Sequence, residues 1–208
     1  VSVNASDPNR FSGLIPTGFL ATGDTLPLLP FAVIDVETTG LRPRHDRVIE
    51  VAVVRCDPTG ATVSEWSTLV DPGRDPGPTR VHGISASDLL GAPTFADALP
   101  ELRSQLEGAV VVAHNLSFDS AFFSHEFRRA ESEPLVGYGL CTLELARVVL
   151  AGQAGFSLGA CAESLGIAHP NAHRALADTR VTALLLQALI LRIAPDDPSP
   201  PPLRLAGD

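Results

Sequence analysis

The segment Phe31-Ala32-Val33-Ile34-Asp35-Val36-Glu37-Thr38-Thr39-Gly40 is an apolar run that ends in charge. A short run of this kind, closed by a turn residue, reads as a buried strand. Side chains alternate along a strand, so Asp35 and Glu37 project to the same face while Val36 faces the other way. Like charges at that spacing repel, and each loses hydration near a core. An isolated D-x-E pair is usually a solvated strand end, but the run before Asp35 places this pair at the sheet itself. A bound divalent cation resolves the repulsion, and hard carboxylate oxygens suit Mg²⁺ or Mn²⁺.

Working outward, residues 47–56 and 61–70 are β-rich and separated by Asp57-Pro58-Thr59-Gly60, a turn by composition. Three strands joined by short links predict an antiparallel meander. The pattern then changes to helical spacing over residues 94–107, where Thr94 is placed to cap the helix. A short strand follows at 109–113, then helices at 117–130, 143–150, 157–165 and 174–193. A meander followed by alternating helix and strand predicts an α/β fold, a mixed sheet with helices packed on it. Residues 1–30 lack periodicity and read as an extended arm, 31–193 as one domain, and the Pro-rich stretch 194–208 as a semi-rigid tail.

The chain of 208 residues is 45% hydrophobic and 19% charged, enough to bury a core. Its formal net charge of -9 argues against a broad basic face for nucleic acid, though not against a local site. All 15 basic residues are arginine. Without lysine, a Walker A phosphate loop, a Schiff-base enzyme, a kinase-type ATP site and a Ser-x-x-Lys hydrolase are excluded. Cys56, Cys141 and Cys161 are far apart and form no C-x-x-C pair, so they read as free thiols in a reducing compartment. No signal peptide is indicated, and the apolar run at 183–193 is too short to span a bilayer, so the expectation is a soluble, cytoplasmic protein without membrane contact.

Further carboxylates should converge on the Asp35–Glu37 pair. Asp119 lies in His114-Asn115-Leu116-Ser117-Phe118-Asp119, where a buried strand passes into a helix. With Ser117 as N-cap, Asp119 falls in the first turn, where the helix dipole favours its ionised form. The other candidate is His173-Arg174-Ala175-Leu176-Ala177-Asp178. Five helical steps advance about 500°, which would leave His173 and Asp178 about 140° apart. His173 can share a site with Asp178 only if it precedes the first turn, and Pro170 supports a loop there.

Together, Asp35-x-Glu37, Asp119 and His173-x₄-Asp178 resemble the three motifs of the DEDD superfamily of 3′-5′ exonucleases, histidine subtype. This DnaQ-like family includes the proofreading subunits and modules of bacterial replicative polymerases and some RNA-trimming exonucleases. The stretches Asp35-Val36-Glu37-Thr38-Thr39-Gly40, Val48-Ile49-Glu50-Val51-Ala52-Val53 and Val81-His82-Gly83-Ile84 match as well. The resemblance implies a ribonuclease-H-like fold and two divalent ions, Mg²⁺ or Mn²⁺, held by Asp35, Glu37, Asp119 and Asp178. It also implies His173 as general base, a role suited to an unperturbed pKa of about 6.5. Thr38 and His82 match positions that contact the terminal nucleotide in relatives. The implied reaction releases nucleoside 5′-monophosphates from single-stranded 3′ ends, with DNA favoured over RNA by the D-x-E-T-T-G form. A 3′-5′ exoribonuclease is the alternative, and a polymerase subunit is a partner on the resemblance alone.

Two other classes compete. Gly155-Phe156-Ser157-Leu158-Gly159 spells the G-x-S-x-G elbow of α/β-hydrolases, but that motif needs a strand directly before it and partners downstream. Ser157 is better read as an N-cap. A non-catalytic module with a degenerate nuclease fold would normally have lost a metal carboxylate, and none is missing.

Overall fold

The computed structural model describes residues 29–170 and 172–193. Most of the arm assigned to residues 1–30, and the whole tail at 194–208, lie outside them. Five strands, β1 (Phe31–Thr38), β2 (Val48–Cys56), β3 (Thr62–Leu69), β4 (Val110–Ala113) and β5 (Gly139–Cys141), form one sheet in the order β3-β2-β1-β4-β5. The expected meander is present: β1 pairs antiparallel with β2, and β2 with β3. β1 and β4, and then β4 and β5, pair parallel, which makes the sheet mixed. Six helices complete the described fold: α1 (Thr79–His82), α2 (Phe95–Leu106), α3 (Leu116–Arg129), α4 (Thr142–Val149), α5 (Leu158–Ser164) and α6 (Ala175–Ile193).

The alternation of β1 divides the core. Ala32, Ile34 and Val36 face one layer with Phe95, Leu99 and Leu102 of α2 and Phe122, Phe123 and Phe127 of α3. Phe31 and Val33 face the other, with Val110 and Val112 of β4 and Ala183, Leu186 and Ile190 of α6. By that period, Asp35 and Glu37 continue the α6 face. β1 runs on beyond Val33, its last residue paired with β4, so the acids emerge past the paired part of the parallel sheet.

Several starts follow the sequence reading. Thr94 caps α2 in a reciprocal capping box with Asp97. Ser157 caps α5 by accepting from Ala160 N–H at 3.3 Å, so the G-x-S-x-G stretch is a helix start. Ser117 is not the cap of α3. Asn115 holds that position at φ 78°, without a side-chain cap, and the Ser117 hydroxyl donates to Asn115 Oδ1 at 3.0 Å. The helix begins earlier because Leu116 is buried in the α2–α3 layer and must already be turned inward. The short β5 and α1 went unread, since three or four residues are too few to show a period.

One buried ion cluster ties α3 to the turn after β1. Glu126 is 1% exposed and accepts from Arg47 Nε at 2.8 Å, Arg129 Nη1 at 3.0 Å and Val48 N–H at 3.2 Å. Removing Glu126 strands two cations, although at 28% and 29% exposure both guanidiniums retain some water. Glu126→Ala should therefore lower stability by about 3 kcal/mol, the lower end for breaking a buried pair, measured by urea unfolding.

Candidate active site

The ligand oxygens of Asp35, Glu37 and Asp178 all lie within 4.8 Å of one another. β1 supplies the first two at i and i+2, and the first turn of α6 brings Asp178 over them. Asp119 is outside this trio but adjoins it, because it is the strongest charged neighbour acting on Asp35. It is 3% exposed in the first turn of α3. Asp35 feels both Asp119 and the Glu37–Asp178 side, and the Glu37 charge in turn acts on Asp119.

Metal-free, Asp35, Glu37 and Asp119 resist ionising. Burial, followed by the charges of Asp119, Asp178, Glu37 and Glu50, pushes Asp35 well above the usual carboxylate range. Burial and the Asp178 and Glu50 charges raise Glu37 to about 7, with Arg174 opposing. Burial lifts Asp119 to about 8, against the pull of its own backbone N–H and that of Val36. Partly buried hard oxygen donors that repel one another fit divalent cations. Two of the three thiols are poor nucleophiles: Cys56 is driven up to about 11 by burial, and Cys161 is raised for the same reason.

The loop before α6 is the part that sequence resolves least. His173 precedes the helix, as its spacing from Asp178 requires, at φ 68°, a conformation costly for a non-glycine residue. Its backbone N–H donates to Asp178 Oδ2 at 3.1 Å, while its exposed imidazole has no hydrogen-bond partner among the described residues. The ring that touches Asp178 belongs to His169, whose Nε2–H donates to Oδ1 at 2.6 Å. Sequence reasoning missed His169, since no motif marks it. It also missed the anchor of this loop, Glu50, the cross-strand partner of Glu37. Glu50 is buried and accepts from Arg174 Nε at 3.2 Å, Arg174 Nη2 at 3.0 Å and Ala175 N–H at 3.0 Å. The two residues after His173 are thereby clamped to β2.

Thr38 and His82 are more enclosed than a substrate contact suggests. The Thr38 hydroxyl donates to Gly40 O at 2.7 Å, and the side chain is buried. His82 is 2% exposed at the end of α1, where its Nδ1 accepts from Ile84 N–H at 3.1 Å. That bond leaves Nε2–H as the donor, and it is buried without a hydrogen-bond partner among the described residues. The nearby Pro76-Gly77-Pro78 stretch packs on the end of β1. A Cβ at Gly77, already at φ 84°, would strike the Thr39 carbonyl.

The raised acids set a pH dependence. The protons of Glu37 and Asp119 leave the unfolded chain near pH 4 but stay on the metal-free native state to about pH 7 and 8, with Asp35 raised in the same direction, so native protein binds more protons and loses stability as pH rises. His82 and His114, whose values burial lowers, act oppositely but only below about pH 6.5. In chelator, the melting temperature should therefore fall between pH 7 and 8.5. Mn²⁺ should restore it most at the upper end, and Asp119→Asn should flatten the slope in a calorimetric titration.

Residues 32–186 match the RNase_T exonuclease family. The DNA polymerase III epsilon subunit of Aquifex aeolicus is 36% identical over 156 residues, covering 74% of this chain and 76% of that protein. The PolC-type DNA polymerase III of Thermotoga petrophila is 35% identical over 155 residues, 74% of this chain but only 11% of the polymerase. Among solved structures, exonuclease X in complex with 5′-overhanging duplex DNA superposes with a TM-score of 0.63 at 28% identity, covering 83% of this chain and 97% of that one. Escherichia coli exonuclease I bound to a dT13 oligonucleotide has a TM-score of 0.70 at 21% identity, with 79% of this chain and 41% of that one covered, and shares the sheet. A ribonuclease-H-like sheet with this acidic cluster at the end of its central strand, matched over most of the described chain, belongs to the exonuclease family, as a DnaQ-like 3′-5′ exonuclease domain.

Proposed function

We propose that this domain removes nucleoside 5′-monophosphates from the 3′ end of single-stranded DNA in a divalent-metal-dependent reaction, in proofreading or repair. The observation that carries the reading is the convergence of Asp35, Glu37 and Asp178, with Asp119 beside Asp35. DNA is preferred to RNA because the relatives that span most of this chain belong to DNA polymerase III. The same relatives support a polymerase subunit as partner, and the three free thiols fit the cytoplasm.

Asp35, Glu37 and Asp178 would hold one ion, and Asp119 with Asp35 a second, Mg²⁺ or Mn²⁺ by the hardness of the donors. Such ions supply Lewis acidity at the phosphate and lower the pKa of water. His173 takes the proton of the attacking water at its imidazole. Water adds to the terminal phosphorus, the P–O3′ bond breaks, and the shortened strand keeps its 3′ oxygen. His173 suits this step because its ring is unengaged while its backbone is pinned to Asp178 and, through Arg174 and Ala175, to Glu50. His169 positions Asp178 in the metal-free protein by holding one carboxylate oxygen. Thr38 and His82 would meet the terminal nucleotide, His82 through its unused Nε2–H after a local opening of α1.

Digestion of matched 5′-labelled DNA and RNA strands with Mn²⁺ tests the proposal directly. The expected result is a 3′-5′ ladder on DNA that chelator abolishes; endonucleolytic cuts or chelator-resistant activity would overturn it. Asp35→Asn and Asp178→Asn should reduce turnover to background. His173→Ala should cost about 10²–10⁴-fold in kcat and flatten the dependence of the rate on pH. His169→Ala should instead keep the profile and change mainly the Mn²⁺ concentration needed for half-maximal rate.

A further inference from the structure

A chain of net charge -9 whose site is built from acids repels a polyanion, so a strand must find local cations, and here only arginine can supply them. Most described arginines are committed. Arg47, Arg174 and Arg180 pair with Glu126, Glu50 and Glu65, Arg147 with Glu144, and Arg55, Arg74, Arg129 and Arg192 donate to carbonyls. Arg103 donates to Ser132 Oγ and lies over the Phe127 ring. Arg42, Arg44, Arg80 and Arg128 have no hydrogen-bond or ion-pair partner for their side chains among the described residues. Two of these four sit in one turn, residues 40–46, which begins three positions after Glu37.

That turn is a built platform. Arg42 N–H donates to Asp46 Oδ2 at 2.8 Å, and His45 and Asp46 N–H both return to Arg42 O, at 2.8 and 2.7 Å. Gly40 is required there, because a Cβ would lie 2.5 Å from Asp46 Oδ2. From α3, Arg129 donates to the carbonyls of Pro43, Arg44 and Asp46 at 3.0–3.2 Å, and Arg74 donates to His45 O at 2.8 Å. The carbonyls are thus turned inward onto guanidiniums, while Arg42 and Arg44 are exposed. The turn and the side chains that hydrogen-bond to it hold four guanidiniums, of Arg42, Arg44, Arg74 and Arg129, and Arg47 follows directly after it. Asp46, and Glu126 behind Arg47 and Arg129, are the two carboxylates among them. Arg42 is at most about 18 Å of chain from Glu37, within a few nucleotides of the acids.

We propose that the turn at residues 40–46 is the contact surface for the nucleic-acid strand upstream of its 3′ end, with Arg42 and Arg44 meeting backbone phosphates. The proposal rests on the nuclease reading above and extends it from the terminal nucleotide to the strand behind it. Phosphate contacts position a strand without reading its sequence, as an exonuclease requires.

The test measures binding of 5′-fluorescein-labelled dT20 to Asp35→Asn protein by anisotropy across a NaCl series, with and without Arg42→Ala and Arg44→Ala together. Each phosphate contact on a single strand adds about 0.7 to the slope of log K against log [salt], so the pair should reduce it by about 1.4. In the enzyme with Asp35 restored, the same pair should lower the ratio of kcat/KM for dT20 to that for a dinucleotide by about tenfold or more. Arg147→Ala with Arg192→Ala, an equal charge change on α4 and at the far end of α6, should leave slope and ratio in place. An unchanged slope in the Arg42/Arg44 variant, or an equal fall in the control, overturns the proposal and leaves the turn to an acidic protein partner or to none. Failure of the wild-type protein to degrade either dT20 or the dinucleotide would instead sink the nuclease reading.

Discussion

Mutual repulsion among carboxylates at the end of β1 is the constraint on which the rest of the structure depends. Asp35 and Glu37 share a face because a strand alternates, and the fold then adds Asp178 from α6 and Asp119 from α3. Among the described residues Arg174 opposes only part of this charge at Glu37, so burial and repulsion favour the protonated forms of Asp35, Glu37 and Asp119. The stability of the domain is thereby tied to whatever cation enters.

The scaffold confines that unfavourable charge. Glu50 would be a fifth acid in the group, but Arg174 and the Ala175 N–H occupy its oxygens. The same bonds anchor the entry to α6 and hold His173 at a positive φ, with its ring outside the helix. On the other side of β1, Glu126 draws Arg47 and Arg129 together and stiffens the turn at residues 40–46. His114 performs a quieter task, donating from Nε2 to Phe156 O at 2.9 Å and accepting from Thr142 at 3.1 Å, which fixes the start of α4 against the lead into α5. Among the described residues no helix is long and apolar enough to cross a membrane.

Much of this was legible in the residues. The run at 31–36 and the turn at 57–60 foretold the meander, and Thr94 and Ser157 announced their helices, because caps and alternation act over a few neighbouring positions. Ser117 misled for the same reason: a good local cap lost to the burial of Leu116, a tertiary demand that no local pattern carries. His82, whose match implies a nucleotide contact, is enclosed, since whether a four-residue helix buries a ring depends on what packs over it.

By itself the sequence determined the strand bearing Asp35 and Glu37 and the requirement that His173 precede α6 to share a site with Asp178, since these follow from side-chain alternation and helical pitch, whereas Asp119 and Asp178 were marked as their partners only by the family resemblance. Only the tertiary structure decided that Asp119 stands beside Asp35 but outside the tight trio. It also decided that the ring of His169 rather than that of His173 touches Asp178, and that Glu50 anchors the start of α6. Those outcomes depend on contacts between residues as far apart as Glu50 and Arg174, and local patterns carry no term for distances across the chain.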